Sequence, residues 1–178
     1  MINRNFVSYK AFFYFLILAA VVFGQIAFAS SANSVINNIN LLVIALVFLI
    51  NLADFGVIVF FAVSSGLIID IYSNLPFGTF MLTMIATATL LEILFYNFFT
   101  NRSFYSLIVL SLIGTTIYNI MFLSISGIAY YFGWSDFFAG SDYFWRFVKQ
   151  LIFNAALLSL LFYLFNLLSK KYKPIFLK

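Results

Sequence analysis

Long apolar runs, almost free of charge, dominate this chain. The first, from about Ala11 to Ala29, reads AFFYFLILAAVVFGQIAFA, and Gln25 is its one clearly polar interruption. A helix rises about 1.5 Å per residue, so a bilayer core of about 30 Å takes roughly 20 apolar residues. Runs of this kind recur along the whole chain. Hydrophobic residues make up 65% of it and charged residues 8%, against roughly one half and one quarter in a soluble domain. Nine cations and five anions cannot cover a globule of 20.3 kDa. A water-soluble fold is excluded, and lipid is the solvent for most of the chain.

The breaks between runs set the expected architecture, an all-α polytopic membrane protein with six transmembrane helices. The loop SSANSVINNIN follows span one. The stretch from Leu41 to Ser73 is long for one helix and short for two, and Asn51 and Asp54 interrupt it. An Asp at mid-bilayer is costly, so a turn there delivers Asp54 to an interface. That gives span two at about Ile36–Leu52 and span three at about Phe55–Ile71, with Asp54 as a helix N-cap. Pro76 in the SNLPFG turn suits the first turn of a new helix, so span four is about Phe77–Phe99. Span five is about Phe104–Tyr130 and span six about Phe144–Leu168. The spans form one integral membrane domain over residues 1–178 and leave no room for a soluble one.

Lys and Arg orient the spans. Arg4 and Lys10 precede span one, Arg102 follows span four, and Lys170, Lys171, Lys173 and Lys178 follow span six. With six spans these regions share one side, which places both termini in the cytoplasm. Cations at the ends of apolar runs are topology signals, and nucleic-acid binding is not expected. Arg146 and Lys149 fall on the outer side, where Asp142 and Arg146, four apart, are expected to pair on one helical face. Trp134 and Trp145 suit an aromatic belt. Ala27-Phe28-Ala29 before Ser30 has the form of a signal cleavage site. An uncleaved first span is the expectation, because Arg4 and Lys10 complete the six-span scheme.

The chemistry available is narrow. Histidine and cysteine are absent, so there is no imidazole base, thiol nucleophile, disulfide or His/Cys metal site. A Gly-x-Gly-Asp aspartyl-protease motif and a GxxxxGK[ST] phosphate loop are both missing. No catalytic role, cofactor or metal is expected. The 26 Phe and 11 Tyr, with many Ile and Asn, read as codon bias rather than as sites. Asn33, Asn37, Asn38 and Asn40 fit the same explanation.

Two acids stand out, because an intramembrane carboxylate is a functional hypothesis by default. Ala62, Gly66 and Asp70 are four apart and share one face of span three, where small residues let another helix come close. Asp70 then sits at the end of a tight contact and can accept hydrogen bonds from the SNLPFG turn or a neighbouring helix. It reads as a structural cap or as a functional group. Glu92 lies about two turns from the cytoplasmic end of span four. Its candidate partners are Asn97, Arg102, Asn119 and Asn154. It is either a proton or cation site, a contact to a partner's helix, or a packing hydrogen bond. Thr83/Thr87, Ser111/Thr115 and Ala155/Ser159 read as helix-packing pairs.

The run Gly66-Leu67-Ile68-Ile69-Asp70-Ile71-Tyr72-Ser73-Asn74-Leu75-Pro76-Phe77-Gly78, a GLxxDxxxxxPFG pattern between two spans, resembles the MreD family of bacterial rod-shape-determining proteins. Gly66, Leu67, Asp70, Pro76 and Gly78 fall on the family's positions, and Phe77 takes its apolar one. The matched segment is about a tenth of the chain. The resemblance implies a fold similar to the substrate-binding subunits of energy-coupling-factor vitamin transporters. It also implies a non-enzymatic scaffold of cell-wall elongation in the bacterial cytoplasmic membrane. Its partners would be an MreC-type single-span protein, MreB filaments and wall synthases, with a homo-oligomer open. The corner Ala62–Gly78 is then a structural or partner-contact site. The same fold leaves an alternative, a solute-binding subunit of a vitamin transporter, whose outer pocket would draw on Asp70, Asn74, Asp136, Trp134, Arg146 and Lys149.

Overall fold

A computed structural model describes residues 4–29, 36–98, 104–136, 140 and 142–169. Six helices run in chain order: α1 (Arg4–Ala29), α2 (Leu41–Leu52), α3 (Phe55–Tyr72), α4 (Thr79–Phe98), α5 (Phe104–Tyr131) and α6 (Asp142–Ser169). A 3-10 turn, Ile36–Asn38, precedes α2, and the described residues include no strand. Helices α3, α4, α5 and α6 are long and apolar enough to cross a membrane. The chain is an all-helical, multi-pass membrane protein. Arg102, the lysine tail and Asn33 lie outside the described residues.

The stretch expected as span two is where the structure departs most from the sequence reading. Its helix begins only at Leu41, because Asn40 stops it: the backbone of Asn40 is extended and its side chain accepts from the Val43 N–H at 3.2 Å. An Asn side chain that satisfies an orphan helix donor fixes the start there. The resulting α2 has twelve residues, about 18 Å of rise. It touches each of the other five helices, and Leu42, Val43, Leu46 and Val47 are fully buried. A helix apolar all round is a core helix, and α2 is the axle of this bundle.

Ala53 and Asp54 are both extended and join α2 to α3. Asp54 occupies the N-cap position of α3, but its side chain makes no capping bond. Its backbone carbonyl instead accepts from Val57 at 2.9 Å and Ile58 at 3.2 Å. The exposed carboxylate is free to meet water, so the turn accounts for Asp54 without a cap.

On α3 the buried positions Ile58, Phe61, Ala62, Ser65, Gly66 and Asp70 follow helical spacing along one face. That face lies against α4. Large apolar side chains such as Phe23, Phe60, Ile93, Ile120, Ile152 and Tyr163 project outward from five different helices. In water such a surface would aggregate; in lipid it is solvated.

Candidate functional site

The corner between α3 and α4 uses the residues of the GLxxDxxxxxPFG run one by one. A Cβ added at Gly66 would lie 2.5 Å from Met81 Cα, 2.8 Å from Met81 N and 3.0 Å from Phe80 O. These are backbone atoms of α4 and cannot swing aside. Glycine at 66 therefore sets the α3–α4 distance. Ala62, one turn back, is fully buried on the same face.

That close approach brings Asp70 onto the first turn of α4. Asp70 Oδ1 accepts from the Phe80 N–H at 2.9 Å, and Oδ2 from the Met81 N–H at 3.0 Å. A helix N-terminus leaves four donors without intrahelical partners. Here Thr79 N–H goes to Pro76 O at 3.2 Å, and the first helical bond runs from Leu82 N–H to Gly78 O at 2.9 Å. Between them Phe80 and Met81 are left as orphan donors, and one carboxylate takes both. The position that would normally carry a capping side chain is Gly78, which has none, so the cap comes from the preceding helix. The negative charge also faces the positive end of the α4 dipole.

Gly78 is glycine for a backbone reason. Its φ is +97°, a region that costs other L-residues about 1–2 kcal/mol. No atom crowds a Cβ there. Gly78→Ala is therefore expected to lower stability by about 1 kcal/mol through strain alone, measured as the shift in the thermal midpoint in detergent. Phe77 projects from the turn, 71% exposed, and Leu67 precedes the two half-buried residues Ile68 and Ile69 that pack on the core. The Gly66 face is filled by α4 of the same chain, so the corner is internal, and a partner helix would have to dock elsewhere.

Beyond the corner, at the same end of the bundle, lies a cavity of about 670 Å³. Its walls include Asn37 and Asn38 from the 3-10 turn, Asn74 from the corner, and Tyr118, Asn119 and Phe122 from α5. Ser135 and Asp136 from the α5–α6 connection, and Tyr143, Arg146 and Gln150 from α6, complete them. Of the outer residues expected to make a pocket, Asn74, Asp136 and Arg146 do line it. Asp70, Trp134 and Lys149 do not; Asp70 is spent on α4, and Trp134 lies on Phe132 with ring centroids 5.2 Å apart. The expected Asp142–Arg146 ion pair is absent among the described residues, because the Arg146 side chain lines the cavity.

A polar network below the cavity ties four elements together. Tyr143 Oη donates to Asn119 Oδ1 at 2.8 Å, and Asn119 Nδ2 donates to Gln150 Oε1 at 2.6 Å and to Thr115 O at 2.7 Å. One turn deeper, Asn154 Nδ2 donates to Thr115 Oγ1 at 3.0 Å, and Asn154 Oδ1 accepts from the Asn40 N–H at 2.9 Å. Gln25 closes the circuit from α1: its Oε1 accepts from Leu41 N–H at 2.6 Å and its Nε2 donates to Ile39 O at 3.3 Å. The sequence reading missed this network. Its signal was there in two facing polar pairs four apart, Thr115/Asn119 and Gln150/Asn154, which share a helix face on neighbouring spans. Asn40 is likewise a working residue and not only a product of codon bias. Asn154→Leu is expected to leave the Asn40 N–H without its acceptor and cost about 1–3 kcal/mol, read by denaturant unfolding in detergent.

Glu92 is elsewhere. It is buried in the half of α4 remote from the corner, and its Oε2 meets no partner among the described residues. Asn119 and Asn154 are committed to the network above, Asn97 is exposed, and Arg102 is outside the described residues. Asn51 Oδ1 and Ser111 Oγ are also buried without a partner there. The expected packing pairs Thr83/Thr87 and Ser111/Thr115 are all buried, and the threonine hydroxyls return to carbonyls four residues back.

The described residues contain no group of three His, Cys, Asp or Glu side chains able to hold a metal. The arrangement is suited to holding helices together and to binding a small molecule. Comparison with known proteins finds no matching family model, no matching curated protein and no matching solved structure.

Proposed function

We propose that this chain is a non-enzymatic membrane scaffold of the MreD type. In this reading it crosses the bacterial cytoplasmic membrane six times, with both termini in the cytoplasm. The turn at 36–38 and α2 together make the second crossing. Its job is to receive an MreC-type single-span partner and to hold it within the cell-wall elongation machinery.

One observation carries the reading. The run that resembles the family is a working structural unit, in which Gly66, Asp70 and Gly78 each perform a separate geometric task. Because the Gly66 face is occupied from within, partner binding falls to the outward apolar faces of the bundle. Those faces are large on α6, where Trp145, Ile152, Leu160 and Tyr163 are exposed.

Depletion of the chain from the cells that encode it tests this. Rounded or widened cells with disturbed lateral wall growth support the scaffold. Unchanged shape together with a new nutritional requirement overturns it in favour of a solute-uptake subunit.

A further inference from the structure

The cavity beside the corner has a composition of its own. One wall is a row of aromatic rings. Tyr118 and Phe122 are nearly parallel, at 10° with centroids 6.3 Å apart, and Phe80 leans on Phe122 at 5.4 Å and 37°. All three line the cavity. Five residues of the lining carry amide side chains, Asn37, Asn38, Asn74, Asn119 and Gln150. An amide side chain offers a donor and an acceptor side by side, the pattern that pairs with the edge of a nitrogen heterocycle. Flat rings stacked on aromatic side chains and hydrogen-bonded at their edges are a general mode of base recognition.

Gln150 is the best-placed reader. Asn119 holds its Oε1 at 2.6 Å, and the Tyr143 hydroxyl holds Asn119 from the other side. The Gln150 amide is thereby fixed, while its Nε2 donors have no partner among the described residues. A reader locked by its neighbours loses little freedom on binding. The two charged residues of the lining, Asp136 and Arg146, are of opposite sign and sum to zero. The cavity thus carries no net formal charge to select an anion or a cation. Its volume, about 670 Å³, falls within the range of roughly 300–1,000 Å³ usual for small-molecule sites.

We propose that this cavity binds an uncharged nitrogen heterocycle of nucleoside size, stacked on Phe122 and Phe80 and read at its edge by Gln150 and Asn74. The proposal is independent of the scaffold role, since a scaffold and an uptake subunit could both carry such a site.

Equilibrium dialysis of the purified full chain in detergent tests it, with labelled adenosine, guanosine, cytidine, uridine and riboflavin as probes. At least one should bind one to one with Kd below about 1 mM. Gln150→Leu and Asn74→Ala should each weaken that probe about tenfold or more. Asn74 is exposed and makes no hydrogen bond among the described residues, so its variant keeps the fold and isolates the binding effect. Failure of all five probes overturns the proposal, as does binding that is unchanged in the Asn74 variant. Retention of N-acetylglucosamine or inorganic phosphate in place of the heterocycles also overturns it, and would assign the cavity to a sugar or an anion.

Discussion

Gly66→Val is expected to be the most damaging single substitution in this chain. The smallest possible addition, a Cβ, already lies 2.5 Å from Met81 Cα. Overpacking usually costs about 1–3 kcal/mol because side chains shift to make room. Here the obstacle is the backbone of α4, so the helices themselves must separate. Separation also stretches the two bonds from Asp70, which depend on the same approach. The loss should exceed about 3 kcal/mol, and the variant should be scarce in the membrane. Gly66→Ala should show the same direction with a smaller loss. Membrane levels and the thermal midpoint in detergent read both. Normal values for Gly66→Val would mean that α3 and α4 are not packed as described.

Asp70→Leu carries the second-largest expected effect. It deprives two half-buried backbone donors, Phe80 N–H and Met81 N–H, of their acceptors at once. Each stranded donor costs about 1–3 kcal/mol, and bonds to a charged acceptor lie at the stronger end. A loss of about 3–5 kcal/mol is expected. Asp70→Asn keeps one acceptor oxygen and should recover part of it. The comparison separates capping from any chemical role, because a group needed for its charge alone would fail equally as Asn. Retained helix content with α4 frayed at its start, seen as faster hydrogen exchange at Phe80 and Met81, is the structural signature. Full stability in Asp70→Leu would remove the capping account.

The corner was readable in advance because it is local. Ala62, Gly66 and Asp70 are brought to one face by helical spacing, and Pro76 and Gly78 mark a turn by backbone chemistry alone. Distance between helices was not readable, so whether the Gly66 face met its own chain or another stayed open until Met81 was found against it. The apolar runs mark the helices, but α2 starts at Leu41 rather than at the Ile36 expected for span two. Asn40 reads from sequence as a product of codon bias inside span two, and only its bond to Val43 explains the late start. The polar network was hidden for a further reason. Asn119, Gln150 and Asn154 lie 24 or more residues from their partners on other elements, and periodicity within one helix says nothing of the helix across from it.

The cavity illustrates the same limit. Asp136 and Arg146 were expected among outer polar groups, yet Tyr118 and Phe122 passed as two aromatics among many. In a chain with 26 Phe, identity carries little information and position carries most of it. Asp142 and Arg146 are correctly spaced for an ion pair, but spacing permits a contact without requiring it. An exposed pair of this kind contributes about 0–1 kcal/mol, less than other demands on an arginine side chain.

The scaffold reading is tested most directly by a mild-detergent pull-down of the tagged chain from its native membrane, with the co-purifying proteins identified. The account predicts recovery of a single-span protein with a coiled coil and a large outer domain, of the MreC type, and its loss with Asp70→Leu. Recovery of ATPases with a coupling membrane subunit, and no such single-span protein, would contradict it.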